Sequence, residues 1–285
     1  MTTTTADRGD TAFLGHPKGL GFLAFTEAWE RFSYYGMQAL LVLYMTKTLL
    51  LTPHVEQIVG FAAFEQFIQF VYRPGASTQA IASAIFGLYT SLVYLTPILG
   101  GILADQVLGK TRTIILGALL MAAGHFLMAF DASFLLALLC LVLGTGCFKG
   151  NIAGQVGALY AEKDLRRADA FQIFYLGINA GVIAAPLIAR TLGEKVGWHY
   201  GFGAAGVGML ISLVIYLTGR RHLPPDPPLR GREKTVRAKL TSQERRTILL
   251  LILLLPVLTA SVLCNQQIFN AYLVWADRSV DLTFM

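Results

Sequence analysis

The chain has 285 residues, of which 55% are hydrophobic and only 14% are charged, whereas an ordinary soluble domain is about a quarter charged. This composition excludes a soluble globular protein, a disordered chain and a disulfide scaffold, and it favours an all-α polytopic membrane protein. The formal net charge of +6 comes largely from one stretch without interleaved aromatic residues, so we expect no nucleic-acid partner.

Seven apolar runs are near or above the roughly 20 residues that span a bilayer as a helix. They cover about residues 20–49, 79–104, 112–130, 133–161, 169–192, 198–219 and 247–275. The segment 52–78 is too polar to span, but part of it has one apolar helical face, which predicts a short interfacial helix. The residues of that face are Val59, Ala62, Ala63, Phe67, Phe70 and Val71. His125, alone in the third run, is predicted to be a packing residue with a satisfied hydrogen bond.

Lysine and arginine residues are distributed unequally between the two sides, with 16 on the side of the N-terminus and five on the other. The positive-inside rule therefore predicts a cytoplasmic N-terminus. We predict a cytoplasmic tail over 1–18, a six-helix transmembrane bundle over 19–219, a basic cytoplasmic linker over 220–246 and a seventh helix within 247–285. A long inner linker after six helices is typical of a transporter with two bundles. A membrane receptor or scaffold, in which the buried charges are only structural, is the alternative.

The first run contains three ionisable residues in TEAWERFSYYGMQ, namely Glu27, Glu30 and Arg31. At about 100° per residue, Glu27 and Arg31 share a stripe with Tyr34 and Gln38, and Glu30 lies at its edge. An ionised group in the bilayer core costs a few kcal/mol, so these residues are expected to face a protein interior or a wet cavity and to pair there. An inert ion-pair cluster is the competing interpretation.

Lys149 lies in the middle of the fourth run, where a lone ammonium loses its proton or pairs with a carboxylate, and Glu27 and Glu30 are the candidates. We expect polar side chains of two other runs to surround the charged cluster with hydrogen-bonding groups. They are Tyr89 and Tyr94 in the second run and Tyr175 and Asn179 in the fifth. We find no nucleophile–base pair and no Cys/His set at metal-ligand spacing, so we expect neither an enzyme nor a bound metal.

The turn after the second run, GGILADQVLGKTRT, contains Asp105, Gly109, Lys110 and Arg112. The carboxylate near the end of one helix and the basic residues at the start of the next predict a state-dependent clamp at the inner membrane face. The GKT sequence is not a phosphate loop, because Ala104 replaces its first glycine and no strand precedes it.

The segment TEAWERFSYYG resembles the ExxERFxYYG signature of the proton-dependent oligopeptide transporter family, within the major facilitator superfamily. LTPILGGILADQVLGKTRT is similar to the superfamily's inner-loop motif, GCFKGN to the FKPN segment and FYLGINAG to the FYxxIN signature, in the family's order. The resemblance implies a proton-coupled symporter of di- and tripeptides in the cell membrane, the inner membrane if the source is bacterial. It would work by alternating access, with the proton as coupling ion and no other cofactor. A member that carries a non-peptide substrate such as nitrate fits the same signatures.

Carried over by position, the resemblance implies roles for individual residues. The proton-coupling residues would be Glu27, Glu30, Arg31 and Lys149. The substrate-binding residues would be Arg31, Tyr34, Tyr35, Tyr94, Lys149 and Asn179. The inner-gate motif would be Asp105, Gly109, Lys110 and Arg112. Gln38 replaces the arginine of some members, so we expect no salt bridge from this position to a second bundle. Gln106 and Gly150 also depart from the family pattern.

The family has two six-helix bundles with the substrate between them, whereas this sequence has seven predicted spans. We therefore expect the chain to be the N-terminal half of a transporter, with a C-terminal bundle as its partner. We also expect a solitary bundle to expose Glu27, Glu30, Arg31 and Lys149 on the surface that faces the partner.

Overall fold

The computed structural model describes residues 10–72, 74–161, 163–226 and 241–280. These residues are mostly α-helical and contain no β-strand, only an isolated bridge between Phe13 and His16. The chain divides into two compact units, Met1–Leu229 and Arg230–Met285. The predicted linker contains this division, and residues 227–240 of it, like residues 1–9 of the predicted tail, lie outside the described part of the chain.

The first unit is built from antiparallel helices joined by short turns. In chain order these are α1 (Lys18–Tyr44), α2 (His54–Gln57), α3 (Phe61–Val71), α4 (Thr78–Leu103), α5 (Lys110–Leu127), α6 (Phe134–Ala158), α7 (Arg166–Ala185), α8 (Thr191–Lys195) and α9 (Trp198–Gly219). Single π-helical turns extend α1 over Met45–Leu49, α4 over Ala104–Leu108 and α7 over Pro186–Arg190. The six long helices lie where the sequence predicts the first six spans.

Five helical segments within the described residues are long and apolar enough to cross a membrane. They are Thr78–Leu108, Asp131–Ala158, Arg166–Lys195, Trp198–His222 and Ser242–Leu263. The other two predicted spans form helices as well, but α1 carries Glu27, Glu30 and Arg31 in its interior and α5 begins with Lys110 and Arg112. The structure therefore confirms a helical, multi-span architecture.

Helix α1 lies at the centre of the first unit, since 21 of its 27 residues are buried. It packs mainly against α7 and α9, and two hydroxyl groups join it to α9. Ser33 Oγ donates a hydrogen bond to the carbonyl oxygen of Ala205, and Ser212 Oγ donates one to that of Thr26, both at 2.7 Å. A helix this polar can lie within a membrane because its neighbours separate it from lipid.

The predicted interfacial helix corresponds to α3. It buries Phe61 and Ile68, whereas Phe67, Phe70 and Val71 of the predicted apolar face are exposed. An exposed apolar face of this kind is typical of a helix that lies in a membrane interface.

His125 differs from its prediction. It is fully buried in α5, but neither ring nitrogen has a hydrogen-bond partner among the described residues. The prediction of a packing residue holds, but the prediction of a satisfied hydrogen bond is wrong, because no donor or acceptor among the described residues reaches the buried ring.

The second unit contains α10 (Ser242–Gln266), a 3₁₀ turn (Gln267–Phe269) and α11 (Ala271–Ser279). A capping box begins α10: the N–H of Glu244 donates to Thr241 Oγ1 at 3.2 Å, and the N–H of Thr241 donates to Glu244 Oε2 at 2.7 Å. The apolar run ILLLILLLPVL of α10 is exposed. This helix is the seventh predicted span.

Candidate functional site

Three charged side chains of α1 form one buried cluster. Glu27 precedes Arg31 by one helical turn, and its Oε1 lies 3.2 Å from Arg31 Nε. Arg31 Nη2 donates a hydrogen bond to Glu30 Oε1 at 2.7 Å, and Arg31 Nε contacts Glu30 Oε2. The exposed fractions of Glu27, Glu30 and Arg31 are only 4%, 0% and 3%. Such burial requires pairing, because an unpaired buried charge costs several kcal/mol.

The cluster has more carboxylates than cations. Both glutamates share one guanidinium, and Glu27 Oε2 has no hydrogen-bond partner among the described residues. With both glutamates ionised, the three side chains would have a net charge of −1. The free Oε2 is therefore the place where a proton or another hydrogen-bond donor would be most favourable.

The expectation that a solitary bundle exposes this cluster is wrong for Glu27, Glu30 and Arg31. Helix α7 approaches the backbone of α1 at two glycines four residues apart. A Cβ on Gly177 would lie 2.8 Å from the carbonyl oxygen of Ala24, and one on Gly181 would overlap the carbonyl oxygen of Ala28 and lie 3.0 Å from Arg31 Cβ. The two glycines thus let α7 pack directly on the turn of α1 that contains Arg31.

Tyrosine side chains surround the guanidinium. Arg31 Cζ lies 5.0 Å from the ring centroid of Tyr34, in a cation–π arrangement. Gln38 Nε2 donates a hydrogen bond to the Tyr34 hydroxyl at 2.8 Å, and the ring of Tyr35 meets that of Tyr34 edge to face at 5.2 Å. Tyr89 of α4 is buried and lies close enough to interact electrostatically with Tyr34, Glu30 and Arg31.

Lys149 lies half-buried on α6, and its partner differs from the predicted one. Its Nζ lies 4.2 Å from the ring centroid of Tyr94 rather than within ion-pair distance of Glu27 or Glu30. The physical reason is the close approach of α4 and α6, where a Cβ on Gly100 would overlap the backbone of Gly146. Lys149 therefore reaches a ring on α4 first, while its charge still interacts with the two glutamates at longer range.

Asn179 is the predicted substrate-binding residue that the structure does not bring to the cluster. Its Nδ2 donates a hydrogen bond at 2.8 Å to the carbonyl oxygen of Tyr175, four residues earlier in α7. Tyr175 is exposed and interacts electrostatically with Tyr35. This part of α7 therefore presents polar groups at the edge of the tyrosine set.

The predicted inner-gate motif lies at the end of the bundle where α1 begins. Gly109 has a φ of +82°, which permits the sharp turn between α4 and α5. The N–H of Thr111 donates a hydrogen bond to Asp226 Oδ2 at 2.8 Å, and a Cβ on Gly109 would lie 2.9 Å from the same oxygen. Lys110 is half-buried, and Asp105 and Arg112 are exposed. The proposed clamp between Asp105 and the basic residues stays a prediction.

The sequence did not lead us to predict two features of these sites, the glycine pair of α7 and the contact of Asp226 with α5. The glycine pair of GINAG has the small-xxx-small spacing of close helix contacts, which is a usable signal for Gly177 and Gly181. Asp226 follows α9 in a proline-rich segment, and nothing in its local sequence indicates that it meets the start of α5.

Comparison with known proteins places the chain among transporters. A model of the POT family matches residues 111–282. A di-/tripeptide transporter of Lactococcus lactis subsp. lactis (strain IL1403) is 42% identical over 222 residues, which cover 76% of this chain and 41% of that protein. The uncharacterized transporter YclF of Bacillus subtilis (strain 168) is also 42% identical, over 74% of this chain and 39% of that protein.

A solved structure supports the same conclusion at the level of the fold. A variant of the peptide transporter POT in complex with alafosfalin has a TM-score of 0.62 and 38% identity, and the match covers 88% of this chain and 47% of that one. The chain thus spans about half the length, or less, of the relatives it matches. By the matched family model and these similarities, the chain belongs to the POT family.

Proposed function

We propose that the chain is part of a proton-coupled symporter of di- and tripeptides, in which Glu27, Glu30 and Arg31 couple proton binding to substrate binding. The observation that carries the proposal is one buried guanidinium shared by two buried carboxylates, with Glu27 Oε2 lacking a partner among the described residues. Support for the substrate class comes from the Lactococcus lactis relative, a di-/tripeptide transporter, and from the related structure in complex with alafosfalin.

The coupling follows from the charge balance of the cluster. When both glutamates are ionised, they hold Arg31 by two ion pairs, and a third carboxylate, that of a peptide, has little to gain by approaching it. Protonation of one glutamate removes one of these attractions and leaves N–H groups of the guanidinium available. A peptide carboxylate can then accept two parallel hydrogen bonds from Arg31, which is the arrangement that guanidinium geometry favours.

The remaining predicted residues would define the peptide site around this contact. Lys149 lies close enough to interact electrostatically with Arg31, so the two cations would attract the same peptide carboxylate. Tyr34, Tyr35 and Tyr94 would form the walls. Asn179 would contact the peptide backbone or amino end after its hydrogen bond to Tyr175 is exchanged.

The proposed setting is the cell membrane, with the N-terminus in the cytoplasm. The excess of lysine and arginine on the side of the N-terminus supports this orientation. The proton-coupling residues then lie between the two aqueous compartments, where alternating access would expose them to each in turn.

Uptake of labelled dialanine into liposomes under an imposed proton gradient tests the proposal. The liposomes would contain the 285-residue chain or the longest chain that its gene encodes. Proton-driven uptake by either chain is expected to be lost in Glu30→Gln and Arg31→Lys. It should be retained in the matched control Glu194→Gln, whose carboxylate pairs with Arg190 on the surface at 2.9 Å. Wild-type uptake with intact proton dependence in both cluster variants would refute the assigned coupling role.

A further inference from the structure

A second group of titratable side chains meets at the opposite end of the bundle from the start of α1. Asp131, in the turn between α5 and α6, accepts two short hydrogen bonds. The hydroxyl of Tyr44 donates to its Oδ1 at 2.6 Å, and Nδ1 of His54 lies 2.6 Å from its Oδ2. Tyr44 is 1% exposed, and the side chains of Asp131 and His54 are 14% and 42% exposed. One carboxylate therefore joins the end of α1, the start of α2 and the turn before α6.

The three side chains are held in place by packing and by a neighbouring backbone hydrogen bond, unlike an isolated ion pair on the surface. The Tyr44 ring packs against Trp198 and Phe202 of α9, with centroid distances of 6.0 and 5.2 Å. Next to Asp131, the carbonyl oxygen of Ala132 accepts a hydrogen bond from the N–H of Val59 at 3.2 Å. The loop of residues 50–60 is thus attached to the α5–α6 turn at two points, by a side-chain pair and by a backbone pair.

The strength of the side-chain attachment depends on the charge of His54. A neutral imidazole can form the hydrogen bond to Asp131, but only a protonated one adds an ion pair. Histidine is the side chain whose charge ordinarily changes between about pH 5 and 8. His199 of α9 also faces Asp131 and interacts with it electrostatically. Other charged groups at this end of the described first unit include Lys47, Glu56, Glu65, Arg190, Glu194 and Lys195.

We propose that Asp131, His54 and Tyr44 form a second proton site, separate from the charged cluster of α1, and that protonation of His54 fastens the 50–60 loop to the α5–α6 turn. The role of this site in transport rests on the proposed function and orientation, which place it on the acidic, outer side. Acid outside would then strengthen the attachment of the 50–60 loop to the α5–α6 turn at the outer end of the bundle, independently of any change at Glu27 or Glu30.

Amide hydrogen exchange of the full 285-residue chain in lipid nanodiscs, read by mass spectrometry at pH 5.5 and 7.5, tests the proposal. After correction for intrinsic exchange rates, peptides from residues 50–60 should exchange about 2- to 5-fold more slowly at pH 5.5, the range expected for a partly exposed ion pair. His54→Gln should abolish this difference, because the amide can donate a hydrogen bond but cannot gain a charge. His222→Gln, at the other end of the bundle where the ring stacks on Phe22, should keep it.

Two further results complete the test. Asp131→Asn should also abolish the pH difference, since it leaves His54 without an anion. If that variant does not fold, His54→Gln decides alone, because its side chain is 42% exposed. No pH difference in the wild type, or a difference that survives in His54→Gln, overturns the proposal. Because the measurement uses no peptide and no proton gradient, its failure leaves the proposed symport untouched, and a failure of dialanine uptake leaves this site untouched.

Discussion

Gly181 offers a direct test of how closely α7 packs on the turn of α1 that contains Arg31. A Cβ at this position would overlap the carbonyl oxygen of Ala28, lie 2.9 Å from the N atom of Phe32 and lie 3.0 Å from Arg31 Cβ. Two of these three neighbours are backbone atoms of a central helix, so they cannot rotate away. Gly181→Ala therefore requires α1 and α7 to separate.

The expected magnitude follows from two opposing effects. Overpacking of a well-packed interior costs about 1–3 kcal/mol, whereas alanine in place of glycine within a helix gains about 0.5–1 kcal/mol. Gly87→Ala in α4 is the matched control, because a Cβ there meets nothing within 4 Å and only the gain applies. The free energies of unfolding of the two variants should thus differ by about 1–3 kcal/mol, with Gly181→Ala the less stable.

Reversible unfolding of the purified protein in mixed detergent, followed by circular dichroism, measures this difference. Iodide quenching of Trp29, which lies next to Ala28, gives an independent reading, because separation of α1 from α7 should increase its accessibility in Gly181→Ala only. Equal stability of Gly181→Ala and Gly87→Ala, with unchanged quenching, would refute the argument that this glycine allows the close contact of α7 with α1.

Three other outcomes follow from the structure. Arg31→Met leaves two buried carboxylates without a cation, so it should lower the free energy of unfolding by about 3–5 kcal/mol; a loss below 1 kcal/mol in detergent unfolding would contradict the pairing. Asp226→Ala removes the hydrogen-bond acceptor of the Thr111 N–H at the start of α5. The loss should resemble that of a helix N-cap, about 0.5–2 kcal/mol, so amide exchange of Thr111 should accelerate about 2- to 30-fold while exchange in α6 is unchanged. The N–H of Lys18 at the start of α1 holds the pKa of Asp10 below its ordinary 3.8. Because the pKa of Asp10 is lower in the folded chain than in the unfolded chain, this contact stabilises the fold fully above pH 3.8 and is lost as the pH falls through the folded-state pKa. If, as the pH is lowered, protection of the Lys18 amide against exchange is already lost near about pH 6, the assignment is contradicted.

The parts of the structure that could be predicted are those set by local spacing. Glu27 and Arg31 are one helical turn apart, so their ion pair follows from the helix itself. The lengths of the apolar runs likewise predict the helices, because a span needs a fixed number of residues. The glycines of GINAG carried a usable signal for close packing, although their contact with the particular turn of α1 that holds Arg31 depends on the arrangement of the whole bundle.

The parts that could not be predicted depend on distances between helices. Lys149 has two glutamates as electrostatically suitable partners, but the close contact of Gly100 with Gly146 brings it to Tyr94 instead. Asp226 and Thr111 are 115 positions apart, and an aspartate in a proline-rich segment has no local feature that selects one helix start over another. Both contacts are properties of the assembled bundle.

The central position of α1 has a consequence for the order in which the protein is made. Arg31 and Gly181 are separated by 150 residues, which a ribosome adds in about 8–30 s at 5–20 residues per second. During this interval α1 has left the ribosome, but the helix that packs against its Arg31 turn does not yet exist. Insertion of α1 into lipid is costly until then, so the nascent chain should keep this helix at the translocon, or paired within a wet groove, and release it only when α7 arrives.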